Sequence, residues 1–195
     1  MGRIKSALEI AMERTEAVKG DKTSIGLFEA KQRGKRLANR YLAGETSALE
    51  ELKKAAGDEK EALRSGCFDV LVSQISLPGL PEEIKRLEAA GEALAVIIED
   101  RRFAPAYKQF LAAVSQYLSE ASQYEEAIKR QYAPKLRQKE EELARRLGRG
   151  VKIDPFQDPE FIAFYNQNMN SLRAGYEALI EEIRTEAKLL FNGES

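Results

Sequence analysis

The stretch that decides the fold is residues 162–190, IAFYNQNMNSLRAGYEALIEEIRTEAKLL. An apolar residue returns in it at every seventh position, and a second row runs beside the first until Glu186 interrupts it. Such a double row is the heptad pattern by which one helix buries a narrow stripe against another. We therefore predict a helix–helix interface made of Ile162, Met169, Tyr176, Ile183 and Leu190 in one row and Tyr165, Leu172 and Leu179 in the other.

A second long helix is predicted just before this one, over residues 106–147. Only Pro134 interrupts its periodicity, and a proline there should kink the helix rather than end it. Its apolar residues alternate four and three apart, at Phe110, Val114, Tyr117, Ala121, Tyr124 and Ile128. Gly148 predicts the helix end, and Asp158 followed by Pro159 predicts the cap and first residue of the last helix. Together the two helices form an antiparallel hairpin.

The predicted hairpin is long for this chain. At ~1.5 Å per residue its helices span roughly 60 and 50 Å, whereas a compact globule of 195 residues has a diameter near ~40 Å. We therefore expect the hairpin to protrude as an arm or to be covered by a second chain. If the chain folds back directly at the hairpin tip, the residues after Ile162 lie opposite the end of the preceding helix, which is charged and has few apolar residues. We therefore expect the apolar rows of the two helices to face each other only partly.

Residues 1–103 are predicted to form a bundle of about five shorter helices, with the hairpin over 104–195. Capping boxes at Ser47/Glu50 and Asp58/Glu61 and breaks at Gly20-Asp21 and at 77–80 divide this bundle. The predicted helices run from about 3–18, 24–43, 47–57, 58–75 and 81–102. The β-branched runs at 68–72 and 94–98 are compatible with strands, but no third strand completes a sheet. The expected class is all-α, with a coiled-coil-like hairpin.

Composition removes several classes of chemistry. The chain has no histidine and one cysteine, which excludes Ser–His and Cys–His nucleophiles and sites built on imidazole or several thiolates. Neither GxxxxGK nor GxGxxG occurs. The sequence therefore predicts no catalytic, cofactor-binding or metal-ligating residue. No apolar run approaches the ~18 residues of a membrane span, and the N-terminus has no hydrophobic signal core. We expect a soluble, cytoplasmic protein.

Charge is arranged in blocks although the net charge is only −1. Residues 31–40, KQRGKRLANR, carry five cations and no acid. At 100° per residue Arg33, Arg36 and Arg40 fall on one side of a helix, and Arg149 stands between two glycines at the predicted hairpin tip. Such a stripe is typical of a solvated or ion-paired helix face. It is also the best candidate contact for a polyanion, because guanidinium matches phosphate geometry.

Three functions are compatible with these features. The favoured one is a non-catalytic interaction or scaffolding protein that works through helix–helix contacts, either as a homo-oligomer or with a helical partner. The alternative is a module that binds RNA or DNA through Arg33, Arg36 and Arg40. A third, an enzyme that uses carboxylates or tyrosines, requires a deep polar pocket. The tyrosines of the hairpin are expected to pack rather than to stack on bases.

Overall fold

The computed structural model describes the backbone of residues 7–194 and the side chains of residues 23–194. It consists of helices joined by short loops, and the described backbone contains no strand. The helices are α1 (Ala7–Leu42), a 3₁₀ helix (Thr46–Lys54), α2 (Gly57–Ser73), α3 (Glu83–Ile98), α4 (Phe103–Leu147), a short 3₁₀ helix (Pro155–Gln157) and α5 (Pro159–Phe191). The all-α prediction is confirmed, and both β-branched runs lie in helices, in α2 and α3.

The predicted bundle differs from the structure at three places. The first two predicted helices are one, because α1 continues through Gly20-Asp21; a glycine inside a helix costs only about 1 kcal/mol, too little to end it. The start predicted at Arg3 lies outside the described residues. The third predicted helix is a 3₁₀ helix. Neither predicted capping box forms, since the helices starting at Thr46 and Gly57 have no side-chain cap.

The two helices of the first pair, α1 and α2, pack antiparallel with their backbones in contact. A Cβ placed on Gly34 would lie 2.1 Å from the carbonyl oxygen of Leu63, and one on Gly66 would lie 2.0 Å from that of Lys31. The thiol of Cys67 donates a hydrogen bond to the Gly34 carbonyl oxygen at 3.1 Å. Two glycines thus allow the close approach that lets Leu37, Ala38 and Leu63 become fully buried.

The connection from α3 to α4 is tight. Glu99 ends α3 in the left-handed conformation, with φ of 60°. Beside this turn the ring of Tyr107 lies directly on the backbone of Gly91, where an added Cβ would meet it at 2.1 Å, and the Tyr107 hydroxyl donates to the Leu87 carbonyl oxygen at 2.9 Å. This contact fastens the base of the hairpin to α3.

The antiparallel hairpin of α4 and α5 is present, but its register differs from the expected one. Tyr117 contacts Tyr176, and fifteen residues further along α4 Tyr132 contacts Phe161, fifteen residues back along α5. The connecting segment 148–158 does not turn sharply at Leu147 but returns along α4, so that α5 starts beside Lys139 and Tyr132. The apolar parts of the two helices therefore face each other, and the predicted mismatch was wrong.

The buried stripe of α5 fits an eleven-residue spacing along its whole length, in addition to the seven-residue spacing of its middle part. Its rows are Phe161, Leu172 and Ile183; Tyr165, Tyr176 and Ala187; and Met169, Ile180 and Phe191, all buried or partly buried. A seven-residue repeat drifts by about 20° per heptad on a straight helix, whereas eleven residues correspond to about 3.67 per turn, closer to the helix itself. Six of the eight heptad residues are nevertheless buried or partly buried, and the coiled-coil-like hairpin departs from the heptad pattern only at Ile162 and Leu179.

Two apolar cores stabilise the molecule. The larger one joins α1, α2 and α3 to the base of the hairpin, including Phe103, Val114 and Ile183. The smaller one lies within the hairpin alone and contains Ile128, Tyr132, Leu136, Phe161 and Met169. The distal half of the hairpin thus has a core of its own, and we call it the arm. The division at residue 103 stays a prediction; the base of the hairpin belongs to the larger core.

Candidate interaction surfaces

The arginine stripe on α1 is largely occupied by carboxylates. Arg33 donates to Glu59 of α2 at 2.8 Å, instead of pairing with Glu29 one turn before it. Arg40 donates to Glu45, the residue just before the following 3₁₀ helix, and to Glu51 within that helix. These hydrogen bonds raise the pKa of Arg40 and lower that of Glu45. Tertiary neighbours therefore use two of the three arginines for intramolecular ion pairs.

Arg36 differs from its neighbours because it has no ion pair within the described part of the chain. It lines an open groove of about 820 Å³ together with Phe28, Glu29 and Gln32. Phe28 is 64% exposed and Ile25 is 58% exposed, which is unusual for large apolar side chains. On a helix, Ile25, Phe28, Gln32 and Arg36 fall within about 80° of one another. We call these residues, with Glu29 and Lys35 at the edges, the α1 face.

The α1 face is bare because it lies on the side of α1 opposite the buried Ala30 and Leu37, and its first residues also lie near the end of α2. Lys31 pairs with Asp69 of α2 at 2.9 Å, and α2 ends one turn later, at Ser73. The residues of α1 that lie more than about one turn before Lys31 therefore extend beyond the end of α2. Ile25 and Phe28 were not among the predicted surface residues. The sequence feature that indicates their exposure is their position on the side of α1 opposite Ala30 and Leu37.

The eight residues predicted as the helix–helix interface separate into two groups. Met169, Ile183 and Leu190 are buried, and Tyr165, Leu172 and Tyr176 are partly buried against α4. Ile162 and Leu179, by contrast, are both 38% exposed in the single chain, and their place in a helix–helix interface stays a prediction. Their neighbours Phe161 and Ile180 are buried instead. Each fits the eleven-residue spacing and lies one residue away from the heptad position.

A network of charged groups fastens the arm where α5 begins. The buried carboxylate of Asp158 accepts two hydrogen bonds from the Lys139 ammonium, at 2.9 and 2.7 Å, and caps α5 by accepting from the Glu160 amide at 3.1 Å. The hydrogen bond from Lys139 lowers the pKa of Asp158 and raises that of Lys139. The predicted N-cap at Asp158 is confirmed.

Tyr132 completes this network. Its hydroxyl lies 3.4 Å from Asp158 and 3.3 Å from Glu160, and desolvation raises its pKa.

At the tip of the arm, Gly148 ends α4 in the left-handed conformation, as predicted. Arg149, the predicted contact at the tip, is exposed just beyond the end of α4, whereas the other three candidate arginines lie on α1, so the four are not on one element.

The described side chains include neither a metal-ligand cluster nor an accessible thiol. Among residues 23–194 no cluster of acidic or cysteine side chains could hold a metal ion. Cys67 is fully buried, and desolvation raises the pKa of its thiol to about 12. Within the same residues every buried side-chain nitrogen or oxygen has a hydrogen-bond partner. A stretch suited to crossing a membrane is absent from every helix of the described chain.

Comparison with known proteins gives a family but no activity. No curated protein and no solved structure matches the chain. One family model matches residues 49–188, from the first 3₁₀ helix to the last turns of α5. This region contains α2, α3 and the whole arm, and it leaves out α1. The match covers more than two thirds of the chain, which therefore belongs to the family of unknown function DUF6657.

Proposed function

We propose that this protein is a non-catalytic, cytoplasmic interaction protein that associates with a second copy of itself through the α1 face. The observation that carries the proposal is the exposure of Ile25 and Phe28 next to an unpaired Arg36. A large apolar pair at helical spacing, flanked by charge, is typical of a helix–helix contact surface. The arm, whose core is internal, remains free for a further helical partner.

Charge complementarity favours a second copy as the occupant. When two α1 helices pack antiparallel with a twofold axis at Gln32, Glu29 of each copy faces Arg36 of the other. Both side chains lack an ion pair within the described residues. The same arrangement places Phe28 against the aliphatic stem of Lys35 of the second copy. Such a contact is isologous, because each copy contributes the same residues.

The first experiment is a charge exchange measured by sedimentation equilibrium at micromolar concentration. We expect the full chain to dimerise, and Glu29→Arg or Arg36→Glu alone to weaken dimerisation about tenfold, since each places like charges opposite one another. The double variant with both exchanges restores the pair and should recover the affinity. Glu88→Arg, on the exposed side of α3, is the matched control and should change nothing.

A second experiment tests the twofold axis. Gln32→Cys places a thiol on the axis, so mild oxidation should give a disulfide-linked dimer, while Cys67 stays unreactive because it is buried. A chain that remains monomeric at tens of micromolar protein, or a double charge exchange that fails to recover dimerisation, would contradict the proposal. Phe28→Ala should also weaken association without affecting the helix content, because its side chain is exposed.

Polyanion binding remains the second candidate, supported by Arg36 and Arg149, the two candidate arginines that have no carboxylate partner among residues 23–194. We would measure the fluorescence anisotropy of mixed-sequence RNA and DNA at two salt concentrations. Phosphate contacts predict a loss of about 0.9 log units in affinity per log unit of salt for each contact with duplex DNA. Arg36→Ala and Arg149→Ala should then weaken binding, whereas Arg33→Ala should have a smaller effect because Glu59 holds that side chain.

A further inference from the structure

A cleft lies where the body of the molecule meets the arm. The loop between α2 and α3, with Pro78, Gly79 and Pro81, forms one wall of it, and α4 and α5 form the other. Its volume is about 390 Å³, within the range of small-molecule sites, which often lie at junctions between structural units. Its α4 and α5 wall consists of Tyr117, Leu118, Ala121, Ser122, Glu125, Glu126, Tyr165, Met169 and Arg173.

Tyr117 points to a ligand in this cleft. The residue is only 5% exposed, and its ring packs on that of Tyr176 at 5.0 Å between centroids. The other six tyrosines each have a hydrogen-bond partner for the hydroxyl, but no described residue pairs with that of Tyr117. Since no fully buried side-chain polar atom in this part of the chain lacks a partner, the Tyr117 hydroxyl keeps some access to solvent, and the residue lines this cleft.

The charges of the cleft leave one cation available. Lys129 binds both carboxylates of the rim, Glu125 at 2.7 Å and Glu126 at 3.2 Å. Glu125 also accepts a hydrogen bond from the Tyr165 hydroxyl at 3.3 Å. The guanidinium of Arg173, in contrast, has no ion pair with any described residue. The cleft thus presents a free cation and a free phenol beside apolar walls.

We propose that this cleft binds a small organic carboxylate with an apolar body. Arg173 offers two parallel N–H donors that match a carboxylate, and the Tyr117 hydroxyl donates a third hydrogen bond. The apolar body packs against Pro78, Leu118 and Met169. Because the walls come from the α2–α3 loop and the arm, the bound ligand ties these two parts together.

The test uses the full chain with benzoate, phenylacetate and 3-phenylpropionate as probes, each beside its primary amide. Saturation-transfer NMR and protein-observed titrations should show millimolar binding of the carboxylates and about tenfold weaker binding of the amides, because a charge-assisted bond is lost. Arg173→Gln should weaken carboxylate binding about tenfold, and Tyr117→Phe should weaken it severalfold while it leaves the packed ring in place. Arg149→Gln, which changes an exposed cation at the arm tip, should leave binding unaltered.

Circular dichroism establishes that each variant is folded before its binding is measured. The proposal is overturned if none of the carboxylates binds the wild-type chain at millimolar concentration, or if Arg173→Gln and Tyr117→Phe bind them as well as the wild type does. Self-association through the α1 face has no bearing on either result.

Discussion

Gly34 of α1 and Gly66 of α2 hold the two helices in backbone contact, and each faces a carbonyl oxygen of the other helix. A Cβ on Gly34 would lie 2.1 Å from Leu63 O, and one on Gly66 2.0 Å from Lys31 O. Backbone atoms in a helix cannot rotate away as a side chain can. A methyl group at either position must therefore push the helices apart and disturb the larger core.

The first prediction concerns this contact. Gly34→Ala should lower the free energy of unfolding by about 3 kcal/mol, because overpacking forces a backbone shift. Gly26→Ala is the matched control on the same helix, where nothing lies within 4 Å of the added Cβ. It should stabilise the chain by up to about 1 kcal/mol, as alanine favours helix. Urea unfolding monitored by circular dichroism measures both, and equal effects of the two substitutions would refute the close approach.

A second prediction distinguishes the eleven-residue stripe of α5 from the heptad seam. Phe161 is fully buried, whereas its neighbour Ile162 is 38% exposed. Phe161→Ala should destabilise the arm by about 3–5 kcal/mol, and Ile162→Ala by about 1 kcal/mol or less. Hydrogen exchange of the arm amides reports the local stability directly. If Ile162→Ala proved the more damaging change, the heptad assignment would be right after all.

A third prediction concerns pH and the network at the start of α5. Because Lys139 lowers the pKa of Asp158 in the folded chain, the carboxylate stabilises the fold above its ordinary pKa of about 3.9, and this stabilisation is lost as the pH falls through the lowered value. Asp158→Asn keeps a good N-cap residue but removes the charge. The variant should be about 2 kcal/mol less stable than the wild type at neutral pH.

The difference between Asp158→Asn and the wild type should shrink as the pH falls below about 4. Thermal unfolding followed between neutral and acidic pH measures it. Glu141→Gln, which changes an exposed carboxylate paired only with Arg145 at 3.7 Å, is the control and should alter stability little at any pH. A constant gap between the Asp158 variant and the wild type across this range would show that the charge is not involved.

The fourth prediction concerns Glu99, which adopts φ of 60° at the end of α3. A side chain in this conformation costs about 1 kcal/mol, and glycine avoids the cost. Glu99→Gly should therefore raise the free energy of unfolding by about 1 kcal/mol. Glu88→Gly, at an exposed position inside the same helix, should lower it by a similar amount. Chemical denaturation compares the two, and destabilisation by both would contradict the left-handed assignment.

Local sequence patterns predicted what depends on near neighbours along the chain. The helical spacing of apolar residues over 106–147 and the seven-residue repeat over 162–190 predicted both long helices, because an amphipathic helix carries its burial pattern in its own spacing. Gly148 and Asp158 marked their ends correctly, since capping involves only a few adjacent backbone groups. The missing histidines and the single cysteine likewise limit the available chemistry whatever the fold.

The tertiary structure decided which of these elements meet and where. The return of residues 148–158 along α4 sets the register of the hairpin, and that register buries Phe161 rather than Ile162. Arg33 forms an ion pair with Glu59, which is distant along the chain, whereas Arg36 has no ion pair within the described residues. The open hydroxyl of Tyr117 depends on the α2–α3 loop lying beside the arm. Each of these relationships joins residues far apart in the chain, whose distance no local periodicity fixes.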